Sequence, residues 1–256
     1  MAELTYKTNA LVLRKTKLGE TDLIVTMLGE TGELLKAVAK GARKPKSSFA
    51  SRLEVYRAVE IHCAKGRSLD IVKEARLLDG PSLAELELEQ TLSAAPVAEL
   101  LARIAQPDLE HPRLYDLSIS AFEHIAQLAG NTSLSICAAA LLKVMALAGF
   151  RPSLDECIGC GRAVDGSNEG DTWFSYTEGG VVCDNCRVHA DVVKLDATTM
   201  SWCRAYLYST FDEIAGYHCD LGTVFSVLHF DHEWVKTHVQ ANLKSLDFMF
   251  TSGLFS

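Results

Sequence analysis

The sequence has no unbroken apolar run of the ~20 residues that a membrane-spanning helix requires; its most apolar stretch, Ala138 to Phe150, is interrupted by Lys143. Its opening, MAELTYKTNALVL, places Glu3 and alternating polar residues where an export signal needs a basic stretch followed by apolar residues. A soluble, cytoplasmic chain with no membrane partner is expected. Catalytic signatures are missing too: there is no Walker-type phosphate loop, no GxSxG, no HExxH, and no HxE paired with PCxxC. No catalytic residue is therefore assigned. The one histidine cluster, His229, His232 and His238, reads as solvent-facing or satisfied core histidines. A second metal beyond a cysteine site would be needed to revive a histidine-based hydrolase.

What is present divides unevenly. The chain has 256 residues and a net charge of -8, enough length for two or three modules. Residues 1–80 hold fifteen Lys or Arg against ten Asp or Glu, whereas residues 81–256 hold ten against twenty-three. A basic first third on an acidic chain points to one module facing a polyanion and the rest facing solvent or protein; chance clustering is the bland alternative.

Periodicity changes at the same place. Strand-like runs rich in Val, Ile, Leu and Thr recur at Thr5–Lys15, Asp22–Leu28, Glu33–Lys40, Leu53–Ala64 and Ser68–Leu77, with glycines between or beside them. Five short strands in residues 1–80 predict a small Greek-key barrel of the OB-fold kind, although an SH3-like barrel fits the pattern nearly as well. From Ser82-Leu83-Ala84-Glu85, which has capping-box spacing, the period becomes helical. Helices are predicted around Val97–Ile104, from Leu114 to Leu128, at Thr132–Gly149 and Asp196–Ile214, and over a last stretch carrying Val235 to Phe250. The expected class is multidomain α+β: an all-β barrel over 1–80, then a helical domain over 81–256 with an insert at about 153–190.

That insert carries the strongest chemical signal. Cys157-Ile-Gly-Cys160 is followed after twenty-two residues by Cys183-Asp-Asn-Cys186. Two chelating pairs at this spacing supply four thiolates, which saturate one structural zinc ion and leave no position for a catalytic water. Redox CxxC pairs and free cysteines left from a lost site are the alternatives. Trp173–Tyr176 and Gly179–Val182 read as the hairpin bearing the second knuckle. Cys63, Cys137, Cys203 and Cys219 lack such spacing and read as small buried hydrophobes.

The second signal is a basic loop between the third and fourth strands. Lys40, Arg43, Lys44, Lys46 and Arg52 place five cations within thirteen residues, with Gly41 and Pro45 opposing regular structure and Ser47 and Ser48 able to donate to phosphate oxygens. Arg14, Lys15 and Lys17 close the first strand, and Lys65 and Arg67 flank the last turn, so a barrel could gather all ten cations into one groove that binds nucleic-acid backbone. A solvated turn is the alternative. Aromatic stacking platforms are scarce here: Tyr6 and Tyr56 read as barrel core, which leaves Phe49.

Several runs together resemble the RecO family of recombinational-repair proteins. They are Gly19-Glu20-Thr21-Asp22 opening a strand, KGARKPKSSFASRLEVY from Lys40 to Tyr56, and GRSLDIVKEARLL from Gly66 to Leu78. Further along come Gly149-Phe150-Arg151-Pro152, Phe174-Ser175 with GGVVC from Gly179 to Cys183, and Leu243-Lys244-Ser245. The resemblance spans almost the whole chain. It implies an OB-fold, a helical domain and a zinc finger, with a cytoplasmic, nucleoid-associated location. It also implies binding of single- and double-stranded DNA, annealing of complementary strands, including strands coated by single-strand-binding protein, and cooperation with RecR to load RecA. Leu246 departs from the Arg often found after that Ser, which puts the role of this position in doubt. A groove between helices would suit the C-terminal tail of single-strand-binding protein. The rival expectation is an interaction adaptor that does not touch DNA.

Overall fold

The computed structural model describes residues 4–78, 87–164 and 172–253. It divides into two compact units, Met1–Gln127 and Leu128–Ser256. The capping-box spacing at Ser82–Glu85 and the expected boundary between residues 80 and 81 lie outside the described residues.

The first unit opens with β1 (Thr5–Leu18), β2 (Asp22–Gly29), β3 (Leu34–Ala39), β4 (Ala58–Ala64) and β5 (Asp70–Leu77), closed into a barrel in the order β1-β2-β3-β5-β4. Closure depends on the length of β1. Thr5 to Leu11 pair with β4, Ala10 to Leu18 pair with β2, and a register shift between Val12 and Arg14 bends the strand from one partner to the other. β3 meets β5 in parallel, Ala37 opposite Asp70 and Val38 opposite Ile71. The barrel is OB-like. Its core takes alternate residues from each strand, among them Ala10 and Val12, Val25 and Met27, Ala37 and Ala39, and Val59 and Ile61.

The expected fourth strand begins late. Phe49–Arg52 form a single helical turn, α1, and Leu53 behind it is fully buried in the barrel core. Tyr56 then adopts a left-handed backbone (φ 67°), its N–H donating to Val12 O at 2.7 Å. Its ring stacks on Phe122 at 5.4 Å between centroids, so Tyr56 is not barrel core as expected. Phe122 belongs to α3 (Pro112–Gln127), which follows α2 (Leu88–Ile104). Backbone bonds tie the segment between these helices to the β2–β3 turn: Leu34 N–H donates to Gln106 O and His111 N–H to Thr31 O. Gly32 is required in that turn, because a Cβ there would lie 2.2 Å from His111 O.

The second unit is helical around a small sheet. Its central helix, α4 (Gly130–Leu147), is apolar on every side. It is long and apolar enough to cross a membrane, yet 67% of it is buried inside the protein, as in a core helix. Its one charge is used locally: Lys143 Nζ donates to Leu207 O at 3.0 Å and Ser209 O at 2.7 Å, at the C-terminal end of α5 (Ala197–Tyr208), where carbonyls lack intrahelical donors. The helix expected over Asp196–Ile214 is two, because Thr210 and Glu213 form a capping box that starts α6 (Phe211–Ala215). The last expected helix is also two, α7 (Leu221–Val239) and α8 (Lys244–Thr251), separated where Gln240 turns left-handed at φ 53°. Leu243 and Leu246 are fully buried.

Candidate metal centre and cationic surface

The cysteine pairs converge in the second unit. Cys157 lies in a turn closed by Gly161 N–H to Cys157 O at 2.8 Å, and Cys183 follows β7 (Gly180–Val182) in a turn closed by Cys186 N–H to Cys183 O at 3.0 Å. The two turns are held together because Ile158 N–H donates to Val181 O and Cys183 N–H to Cys157 Sγ. All four sulfurs lie within 4.8 Å of one another, and Cys160 and Cys183 are 3.7 Å apart. A tetrahedral ion with metal–sulfur bonds of about 2.3 Å needs sulfurs about 3.8 Å apart, so the donor set fits a tetrathiolate metal site. Gly159 permits the approach, since a Cβ there would sit 3.1 Å from Cys186 Sγ.

Electrostatics agree. Burial pushes the Cys157 thiol up, but the N–H groups of Cys183, Gly159 and Cys160 outweigh it and hold its pKa down to about 6. Cys186 is pushed up to about 12 by the sulfurs of Cys183 and Cys160. Crowded thiols resist complete ionisation, and a central cation removes that penalty. Cys63, Cys137, Cys203 and Cys219 are free and buried, as expected.

The finger packs on helices. The hairpin of β6 (Thr172–Ser175) with β7 is present as read from sequence, and a third strand, β8 (Val193–Leu195), adds to β6. Phe174 is fully buried, edge-on to Phe230 at 5.1 Å and Trp234 at 5.7 Å, both on α7. Trp234 Nε1 donates to Phe150 O, and Arg204 of α5 donates to Leu154 O and Asp155 Oδ1. The ring of His229 stacks on Phe250, His232 Nε2 lies 2.6 Å from Asn242 Oδ1, and the His238 ring lies 4.0 Å from that of Trp234. Among the described residues, the four cysteines are the only group of three or more metal-ligating side chains close enough to share one ion.

In the first unit the basic loop is anchored at one end of the barrel. Asp22 accepts the Gly41 N–H and the Thr21 hydroxyl, both at 2.8 Å, and these bonds hold its carboxyl below the usual range. Arg43 N–H donates to Thr21 O, and its guanidinium donates to Gly19 O at 3.0 Å and Glu20 O at 2.8 Å. Arg43 is thus a brace as well as a charge. Lys40, Lys44 and Lys46 are exposed on this loop, Arg14 and Lys17 are exposed on β1, and Lys15 pairs with Glu54 at 2.6 Å. Arg52 donates to Ala75 O on β5.

Lys65 and Arg67 form a separate group. Lys65 N–H bonds Leu4 O beyond the opposite end of β1, and Lys65 Nζ lies 3.3 Å from Asp70 and 4.6 Å from the Tyr6 ring centre. With Lys36 and Arg67 it lines a cleft of about 630 Å³ that also holds Glu33, Asp70, Asp108 and Glu110. Lys65 and Arg67 thus line a cleft at the end of β1 opposite to the one that anchors the basic loop. Phe49 packs against the barrel core. Sequence reading passed over Lys36, a single cation within β3 that lines the same cleft as Lys65 and Arg67.

Two family models match in tandem: Recombination protein O N terminal over residues 1–81 and Recombination protein O C terminal over residues 85–247. The chain belongs to the RecO family. It is 34% identical over 182 residues to the DNA repair protein RecO of Desulfitobacterium hafniense, a match covering 71% of this chain and 64% of that protein's length. It is 34% identical over 183 residues to that of Bifidobacterium longum, with 70% and 73% covered. Its identity to that of a Nocardioides species is 33% over 188 residues, with 72% and 75% covered. In this RecO-family chain the Gly19–Asp22 run acquires a physical role, since its carbonyls and the Asp22 carboxylate hold the basic loop. Leu246 does too, as a buried core residue where a guanidinium would have no place.

Proposed function

We propose that this chain is a DNA repair and recombination mediator that binds single- and double-stranded DNA, anneals complementary strands, and cooperates with RecR in loading RecA onto DNA coated by single-strand-binding protein. The observation that carries this is the exposed basic loop fastened to the end of an OB-like barrel in a RecO-family chain. Residues 1–80 are the DNA-binding domain, and residues 81–256 are the helical domain with its finger at about 153–190. Two complementary strands repel through their phosphates; a cationic surface that holds both lowers the barrier to encounter and releases counterions, with no base contact and no catalytic residue. Lys40, Arg43, Lys44, Lys46 and Arg52 form the primary contact, joined by Arg14, Lys15 and Lys17; Lys65 and Arg67 make a secondary one. The metal is zinc, one per chain, held by Cys157, Cys160, Cys183 and Cys186. It acts structurally, bracing the hairpin whose Phe174 is packed on α7. The protein works in the cytoplasm at the nucleoid, and its helical part takes the tail of single-strand-binding protein.

A second function, that of an adaptor without DNA contact, is favoured by the acidic excess of residues 81–256, twenty-three acids against ten bases. The annealing rate of labelled complementary oligonucleotides, bare and coated with single-strand-binding protein, separates the two. The native chain is expected to accelerate annealing and the Lys44→Ala/Lys46→Ala variant to lose much of that acceleration. Absence of acceleration by the native chain would favour the adaptor.

A further inference from the structure

Beyond the basic loop, the barrel has a cleft of about 360 Å³ between α1 and β5, lined by Ser48, Phe49, Arg52, Lys73, Glu74, Ala75 and Arg76. We propose that this cleft extends the loop's contact from Arg52 onto β5, with Lys73 and Arg76 as further phosphate-binding residues for a single DNA strand, an inference that rests on the DNA binding proposed above for the barrel. Three cations face one acid, and that acid, Glu74, lies 3.6 Å from Arg76 Nη2. Arg52 is fixed across the floor by its bond to Ala75 O at 3.2 Å. A positioned guanidinium meets phosphate oxygens with little further loss of side-chain freedom.

Lys73 reaches this face through a break in the strand pairing. Cys63 of β4 pairs with Val72 and His62 pairs with Glu74, so Lys73 is the extra residue of a bulge. Strict alternation would bury one of Lys73 and Glu74; the bulge turns both outward while Val72 and Ala75 both stay in the core. Bulges re-aim side chains, and here the result is a lysine beside an arginine on an outer surface. Phe49 supplies apolar wall for a sugar, and the Ser48 hydroxyl makes no capping bond to α1. Because α1 ends the basic loop, a strand held by Lys44 and Lys46 continues along the chain's own path into the cleft.

The test is the salt dependence of binding of the full chain to a fluorescein-labelled oligothymidylate, read by anisotropy. Four proteins are compared: native, Lys44→Ala/Lys46→Ala, Lys73→Ala/Arg76→Ala, and a charge-matched control in the second unit, Lys194→Ala/Lys236→Ala. All the replaced side chains are exposed, and coincident thermal melts verify folding. The Lys73/Arg76 variant is expected to lose about 1.4 from the slope of log affinity against log salt, two phosphates at about 0.7 each on a single strand, with the control unchanged. Glu74→Gln is expected to tighten binding. A native slope in the Lys73/Arg76 variant beside a flattened slope in the Lys44/Lys46 variant overturns the cleft and leaves the loop standing. Equal flattening in the control overturns it as a net-charge effect. No binding by the native chain overturns the cleft and the proposed function together.

Discussion

Replacing Lys44 and Lys46 by Ala tests whether the anchored loop touches DNA through its phosphates. The structure selects these two over Arg43, whose guanidinium bonds two carbonyls of the β1–β2 turn, so that its removal would change the loop's shape as well as its charge. Each phosphate of a single strand that is no longer neutralised lowers the salt slope by about 0.7, so the pair is worth about 1.4. Between roughly 50 and 200 mM salt, native affinity should therefore fall about 7-fold more steeply than that of the variant. Because the loss is electrostatic and independent of sequence, it should be the same for mixed and homopolymeric oligonucleotides. Anisotropy titrations at several salt concentrations measure it directly. A slope unchanged within error, with affinity reduced equally at every salt, would refute a phosphate role for the loop. Arg43→Lys is the companion variant: it keeps the charge but removes the Nη1 that bonds both carbonyls, and is expected to leave the salt slope native with the loop less firmly held.

Metal analysis of the purified chain should find one zinc per molecule, and chelation should lower the thermal stability of the second unit and shift the fluorescence of Trp234, which packs on Phe174; a second tightly bound metal would contradict the assignment. Phe174→Ala should cost about 3–5 kcal/mol in denaturant unfolding, as expected for removing a fully buried aromatic, and a cost under about 1 kcal/mol would mean that the finger is not braced on α7. Asp231, buried on α7 with neither carboxylate oxygen hydrogen-bonded, keeps its proton well above the usual carboxylate range because burial disfavours the charge. The unfolded chain ionises Asp231 at its ordinary pKa while the folded chain does not, so stability is lost as pH rises from that value towards the raised one. Asp231→Asn should consequently raise the melting temperature at pH 7, with the gain shrinking towards pH 4; a lower melting temperature at pH 7 would mean that the carboxylate has a partner.

The barrel and the metal site were legible from local pattern, because alternating strands must bury one face and two CxxC pairs have few other uses. Boundaries were less so. Leu53 to Arg57 read as strand because Leu53, Val55 and Tyr56 suit one, but the left-handed backbone at Tyr56, seated on Phe122, breaks the run. The split at Gln240 was hidden because the apolar period continues across it. Lys73 escaped notice because a bulge cannot be read from one strand without its partner's register.

By itself, the sequence determined the residue types and their spacing: a basic first third, five short strands, four thiols in two pairs, and a glycine at 41 that lets the loop turn. These are consequences of local chemistry and chain distance. Only the tertiary structure decided which distant groups meet. It set Arg43 and Gly41 against the Gly19–Asp22 turn, parted Lys65 and Arg67 from the loop, laid Phe174 on α7, and placed Leu246 in the core. Those outcomes depend on barrel closure and packing, which sum interactions between residues far apart in the chain, and so no window of residues contains them.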